Sequence, residues 1–218
     1  MALVHGAKEP LGVSSGLVLY LDAANARSYP RTGPTWFDRS GNGNNGTLVN
    51  TPTYNSANGG FLGFDGSNQR VVSSLPTLTS HTTSIWFRTF NTAGSEKQIL
   101  DSNDMFNMGI VSNKFHSYTG VSNFSNQTVV NNVWYNWVVT CTNSPSNSLK
   151  FTINGVVDGD FSSYYQITGP TISIAYSIGL NGRFLTADIG AFSVYNRALT
   201  ATEIAQNYNA LKGRYGLS

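Results

Sequence analysis

The chain has 218 residues, enough for one all-β domain with a sizeable core, and only 11% of them are charged, against the ~25% usual in soluble domains. Its net charge is +2 with no cluster of Lys or Arg, so the electrostatic footprint of a nucleic-acid binder is missing. No run of about 18 apolar residues supplies a membrane span, and Met1–Pro10 lacks the apolar stretch of a secretory signal.

Residues 1–15 read as an N-terminal arm ahead of a domain over 16–218. Ala2-Leu3-Val4 is a short apolar run before Gly6 and Pro10, and such an arm can add to the sheet edge of another subunit. Within the domain, Phe37–Asn50 packs Asn42, Asn44 and Asn45 among Gly41, Gly43 and Gly46. The spacing predicts tight backbone turns leading into a strand near Thr47. The same stretch holds the best oxygen donors for a hard cation, so Asp38, Asn42 and Asn44 are calcium candidates, with Asp22 or Asp65 brought nearby.

Turn signals recur at Asn58-Gly59-Gly60, Asp65-Gly66-Ser67, Asn154-Gly155, Asp158-Gly159 and Asn181-Gly182. Between them the apolar period is two. Val133, Tyr135, Trp137, Val139 and Cys141 form one face of a strand, and Trp134 lies on the other. Leu149, Phe151 and Ile153 repeat the pattern, as do Ile172, Ile174, Tyr176, Ile178 and Leu180. Half-buried strands at such spacing predict an antiparallel sheet of a sandwich or barrel. Cys141 reads as a small buried residue, and His5, His81 and His116 as isolated hydrogen-bonding groups, since no nucleophile motif accompanies them. Thr200 and Glu203 form a capping box, followed by Ile204, Ala205, Tyr208 and Leu211 at helical spacing, with Gly213 as the expected left-handed stop.

Three stretches together carry a resemblance: Gly16–Asn25 with Trp36–Leu48 and Phe64–Ser67; Ser84–Arg88; and Ile189–Ile204. They resemble the concanavalin A-like lectin/glucanase superfamily in its laminin-G-like branch. The resemblance implies an antiparallel jelly-roll β-sandwich with one short C-terminal helix. It is strongest to domains carried by bacteriophage virion proteins, as head decorations, head fibres or tail appendages. The function so implied is a non-enzymatic structural protein on the virion surface, partnered by other virion proteins and by copies of itself, as a trimer if it decorates a lattice.

A carbohydrate-binding module for adhesion to a host or matrix is the alternative. Sugars stack on exposed aromatic rings beside Asn and Asp, for which Trp134, Tyr164 and Tyr165 are the candidates, while Trp36 and Trp86 read as core. A glycoside hydrolase is the third class, and it needs two carboxyls flanking one bond. Glu9, Glu96 and Glu203 are solitary, and Asp101, Asp104, Asp158 and Asp160 sit among turn residues. No catalytic residue is therefore assigned.

Overall fold

The computed structural model describes residues 12–102, 106–143, 147–163, 165–180 and 182–218. Most of the arm, with Asn103, Asp104, Tyr164 and Asn181, thus lies outside the described residues. Strands β1 (Leu17–Asp22), β4 (Thr53–Asn55), β5 (Phe61–Asp65), β7 (His81–Thr89), β12 (Tyr135–Thr142), β13 (Ser148–Ile153), β14 (Val156–Phe161) and β16 (Thr186–Tyr195) make one sheet. Strands β2 (Thr35–Trp36), β3 (Gly46–Val49), β6 (Arg70–Ser74), β8 (Lys97–Asp101), β9 (Asn107–Val111), β10 (Lys114–Tyr118), β11 (Ser122–Thr128) and β15 (Thr171–Ile174) make the other. Every pairing is antiparallel. The result is the expected jelly-roll sandwich.

The two-residue period sets the core. Tyr135, Trp137, Val139 and Cys141 of β12 face Leu149, Phe151 and Ile153 of β13 on the inner side, joined by Trp36, Ile85, Phe87 and Phe115. Two parts of the pattern end early. Val133 precedes β12 and is exposed. The run from Ile172 leaves the sheet after Ile174, because Ala175 turns left-handed at φ 66 and buried Asp101 catches the Ser177 hydroxyl and the Ile178 amide at 2.9 and 2.8 Å.

Part of the outer face of the first sheet is apolar as well, and helix α1 (Ala201–Leu211) packs on it. Thr200 and Glu203 form the expected capping box. Gly213 is not the stop: a 3-10 turn over Lys212–Tyr215 continues the chain, and Gly216 is the left-handed residue at φ 71. That extra turn delivers Tyr215 onto Trp86, with centroids 4.5 Å apart and planes 16° apart, while Tyr208 stacks on the same indole at 5.6 Å. Gly190 forms the bulge of β16 here, and a Cβ on it would meet the Tyr215 hydroxyl at 2.1 Å. Only about 10 Å³ of space remains beneath the helix. Arg214 reaches Asp22 of β1 with two bonds of 2.7 and 3.2 Å, and Asp22 is fully buried. Residues 12–15, assigned to the arm by sequence, begin this packing, since buried Val13 accepts from Tyr195 Oη and donates to Asn207.

Strand β1 pairs with β16 on one side. Its other edge is covered by side chains of the Asn-rich loop. Asn42 and Asn44 donate their amides to the carbonyls of Leu17 and Val18 at 3.1 and 2.8 Å. The Tyr20 amide donates to Asp38 Oδ1, the Arg39 amide donates back to the Tyr20 carbonyl, and Ser28 Oγ accepts from the Asp22 amide. An open edge would template pairing with another chain, and this loop closes it without a strand.

Three outcomes are expected. Arg214→Ala leaves the Asp22 carboxylate buried without its counter-charge, so stability in urea falls by about 3–5 kcal/mol, whereas the pair Asp22→Asn with Arg214→Met recovers most of it. Asp38→Ala orphans amides that now donate to its carboxylate and lowers stability by about 1–3 kcal/mol, with the wild-type melting temperature the same in excess calcium or chelator. His81, fully buried with Nε2 3.2 Å from the Tyr165 carbonyl, has its pKa pushed down by burial from 6.5 to about 4. Its contribution is present above pH 6.5 and is lost as pH falls toward about 4, a change of roughly 3 kcal/mol that His81→Leu removes from the acid limb of a denaturation series.

Candidate functional site

Among the described residues no helix lies on the outer face of the second sheet, and at the β9–β10–β11 end a cleft of about 330 Å³ opens on it. Alternation in β10 sends Phe115 into the core and His116 and Tyr118 outward. Register then lays two rows across the strands: Gly109, His116 and Phe124, and beside them Asn107, Tyr118 and Ser122. The walls are Glu96, just before β8, and Leu180 and Arg183 from the loop between β15 and β16. Asp101 and the bond from the Gln98 amide to the Arg183 carbonyl hold that loop in place.

The charged members form one chain of contacts. Glu96 Oε1 lies 3.2 Å from His116 Nδ1, and the other oxygen pairs with Arg183. Glu96 reaches the imidazole by crossing over Gly109, where a Cβ would stand 3.0 Å from its carboxylate. His116 is 4% exposed, its Nε2 is buried without a hydrogen-bond partner, and the Phe124 ring lies 4.8 Å from it. Tyr118 and Phe124 are 42% and 44% exposed. Two rings at the surface, an amide, a hydroxyl and a self-neutralised ion pair are what a polyhydroxylated ligand needs: faces to stack on and directional groups to read it.

The residues expected from the sequence lie elsewhere. Trp134 is 6% exposed, because its ring lies beneath the helix against Phe61 and Tyr215 at 5.7 and 4.6 Å. It faces away from the core, as the alternation says, but that face is covered. Tyr164 lies outside the described residues, and Tyr165 packs partly buried against the core. Asp38 is saturated: the amides of Tyr20, Ser40 and Asn44 donate to it at 2.9, 2.8 and 3.0 Å, and the Ser40 hydroxyl sits 2.7 Å away. Asn42 and Asn44 present their NH₂ groups to β1. A carboxylate and amides bound in this way form an edge cover, and the donor set does not fit the calcium cage expected from the sequence. Among the described residues no three His, Cys, Asp or Glu side chains gather in a way that could hold a metal. Burial pushes the Cys141 thiol up to about 12, far from a thiolate nucleophile.

One shallow groove does bring two carboxylates together, which linear spacing concealed. Asp65 and Asp188 both line it, beside exposed Phe90. Burial pushes the Asp188 carboxyl up, but Arg88 donates to it at 2.7 Å and opposes this, while Asp65 is engaged by the Ser67 amide of its own turn. A carboxylate so paired is no ready proton donor. The other described acids are tied down too: Glu203 by Arg197 and the helix cap, Asp158 by the amides of Asn126 and Gln127, and Asp160 by Lys150. In a further groove of about 360 Å³, Arg31 already lies over the Tyr54 ring.

The cleft residues Glu96, Asn107, His116, Tyr118 and Arg183 were missed by sequence reading. The alternation Lys114-Phe115-His116-Ser117-Tyr118 is a local signal that could have put two of them on one face. Comparison with solved structures places the same architecture among binding domains. The receptor-binding domain of botulinum neurotoxin type G superposes with a TM-score of 0.70 at 16% identity, over 93% of this chain and 54% of that one. A type C botulinum neurotoxin, whose cell entry is described as dependent on two ganglioside molecules, gives 0.69 at 16%, over 91% and 52%. The chain thus spans about half the length of these toxin domains. Domain 4 of AbnA, an extracellular arabinanase from Geobacillus stearothermophilus seen in complex with arabinotriose, gives 0.69 at 12%, over 90% and 98%. None of the curated proteins compared matches the chain. At such identities the likeness shows the fold, whereas a family model matches residues 65–205 directly. The chain belongs to the concanavalin A-like lectin/glucanase superfamily.

Proposed function

We propose that this chain is a non-catalytic glycan-binding module, with its ligand held in the cleft on the outer face of the second sheet. The observation that carries the reading is the pair of half-exposed rings, Tyr118 and Phe124, set beside Asn107, Ser122 and the Glu96–Arg183 pair. Exposed rings beside a few fixed polar groups are the makeup of a site that stacks a sugar and bonds its hydroxyls. The arabinotriose complex of the AbnA domain and the ganglioside dependence of the type C neurotoxin support a glycan as the ligand class. The engaged state of the described acids supports binding without hydrolysis.

The place of display is proposed from sequence. The stretches Gly16–Asn25, Trp36–Leu48 and Ile189–Ile204 resemble domains of phage virion proteins, and the surface is poor in charge. On this reading the module sits on the outside of a particle among other virion proteins, in several copies, and gives the particle weak adhesion to glycans.

Retention of the purified chain on an array of immobilised glycans tests the site. Tyr118→Ala is expected to weaken retention about tenfold, the equivalent of about 1.4 kcal/mol, with the melting temperature unchanged. Full retention by that variant, or none by the wild type, would sink the assignment. Co-purification with phage particles, imaged by electron microscopy, tests the display.

A further inference from the structure

Granting the glycan reading of this cleft, the geometry points to an uncharged sugar as its ligand, read by a hydroxyl that bonds to His116 Nε2. Among the residues lining the cleft, the formally charged ones are Glu96 and Arg183, and they pair with each other. With the imidazole neutral their charges cancel. An acidic sugar would bring a carboxylate to a guanidinium that already has one, and would lie close to the Glu96 carboxylate besides. Repulsion and desolvation would then both work against it. A neutral sugar meets neither cost.

The His116 ring supplies the complementary half. Glu96 Oε1 at 3.2 Å from Nδ1 selects the tautomer in which Nδ1 carries the hydrogen and donates it, as a carboxylate partner does for an orienting histidine. Nε2 is then a lone-pair acceptor, and it is buried with no partner. A buried polar atom left so is costly to the fold, and a ligand hydroxyl donating to Nε2 recovers that cost. The Phe124 ring that lies against the imidazole is 44% exposed, so little packing opposes its turning aside to admit the sugar. Tyr118, in the neighbouring row, offers the face on which the pyranose or furanose ring rests.

The experiment compares the wild-type chain on neutral oligosaccharides and on their sialylated or uronate counterparts, at about pH 7.5 and at low and high salt. Retention of the neutral set, little changed by salt because no net charge is matched, is the expected result. Two variants refine it. His116→Phe keeps a ring but removes Nε2, and is expected to lose neutral-glycan retention at least tenfold. Glu96→Gln leaves Arg183 uncompensated, and is expected to raise retention of the acidic set about tenfold. If the wild type prefers acidic glycans through a Tyr118-dependent site, the inference falls while the glycan-binding reading stands. If it retains no glycan of either class, both fall. Unchanged neutral-glycan binding in a folded His116→Phe variant would remove the role given to Nε2.

Discussion

The Asp22–Arg214 pair joins the first strand of the domain to its last turn, and much of the architecture depends on it. Asp22 is fully buried, receives both arms of the guanidinium, and also accepts from the Tyr20 hydroxyl. A carboxylate taken out of water is tolerable only when so well partnered. The pair therefore requires that the 3-10 turn be in place, and the turn in place sets Tyr215 on Trp86 and Trp134. Closing the chain in this way dries the part of that face of the first sheet around Tyr20, Trp86 and Trp134.

That closure makes the two sheets unequal. The outer face of the first is occupied by the chain's own helix, whose Ile204, Tyr208 and Leu211 are buried against it. Among the described residues the outer face of the second has no such cover, and there Tyr118 and Phe124 are exposed. Edges are treated with similar economy. The Asn-rich loop bonds the free side of β1 through Asp38, Asn42 and Asn44, and Asp158 of β14 bonds the amides of Asn126 and Gln127 in β11, linking the margins of the two sheets. At one end of the second sheet two exposed rings thus stand beside a buried imidazole nitrogen that has no partner among the described residues.

Much of this was legible in linear order and part was not, for identifiable reasons. The row Tyr135, Trp137, Val139 and Cys141 was readable because burial between two sheets imposes a period of two. The helix and its capping box were readable because Thr200 and Glu203 satisfy each other locally. Trp134 shows the limit. Its alternation correctly put it on the outer face, but whether that face is wet depends on a segment some 80 residues later. Asp38 shows another: the oxygen-rich loop looks like a cation site in linear order, but its Asp38 carboxylate is taken by amides of β1 and of the loop itself, and Asn42 and Asn44 are turned to β1.

The cleft illustrates the same division. Glu96, Gly109, His116 and Arg183 come from four separate segments, and none has a neighbour in sequence that announces it. Register brings Gly109 opposite His116, and the missing side chain at Gly109 is what lets Glu96 cross to the imidazole. The sequence by itself determined the strand faces, the turns and the capped helix, because each follows from contacts within a few residues. Only the tertiary structure decided which faces are covered, which oxygens are already bonded and where one histidine nitrogen is left without a partner among the described residues, because those outcomes rest on contacts between segments distant along the chain.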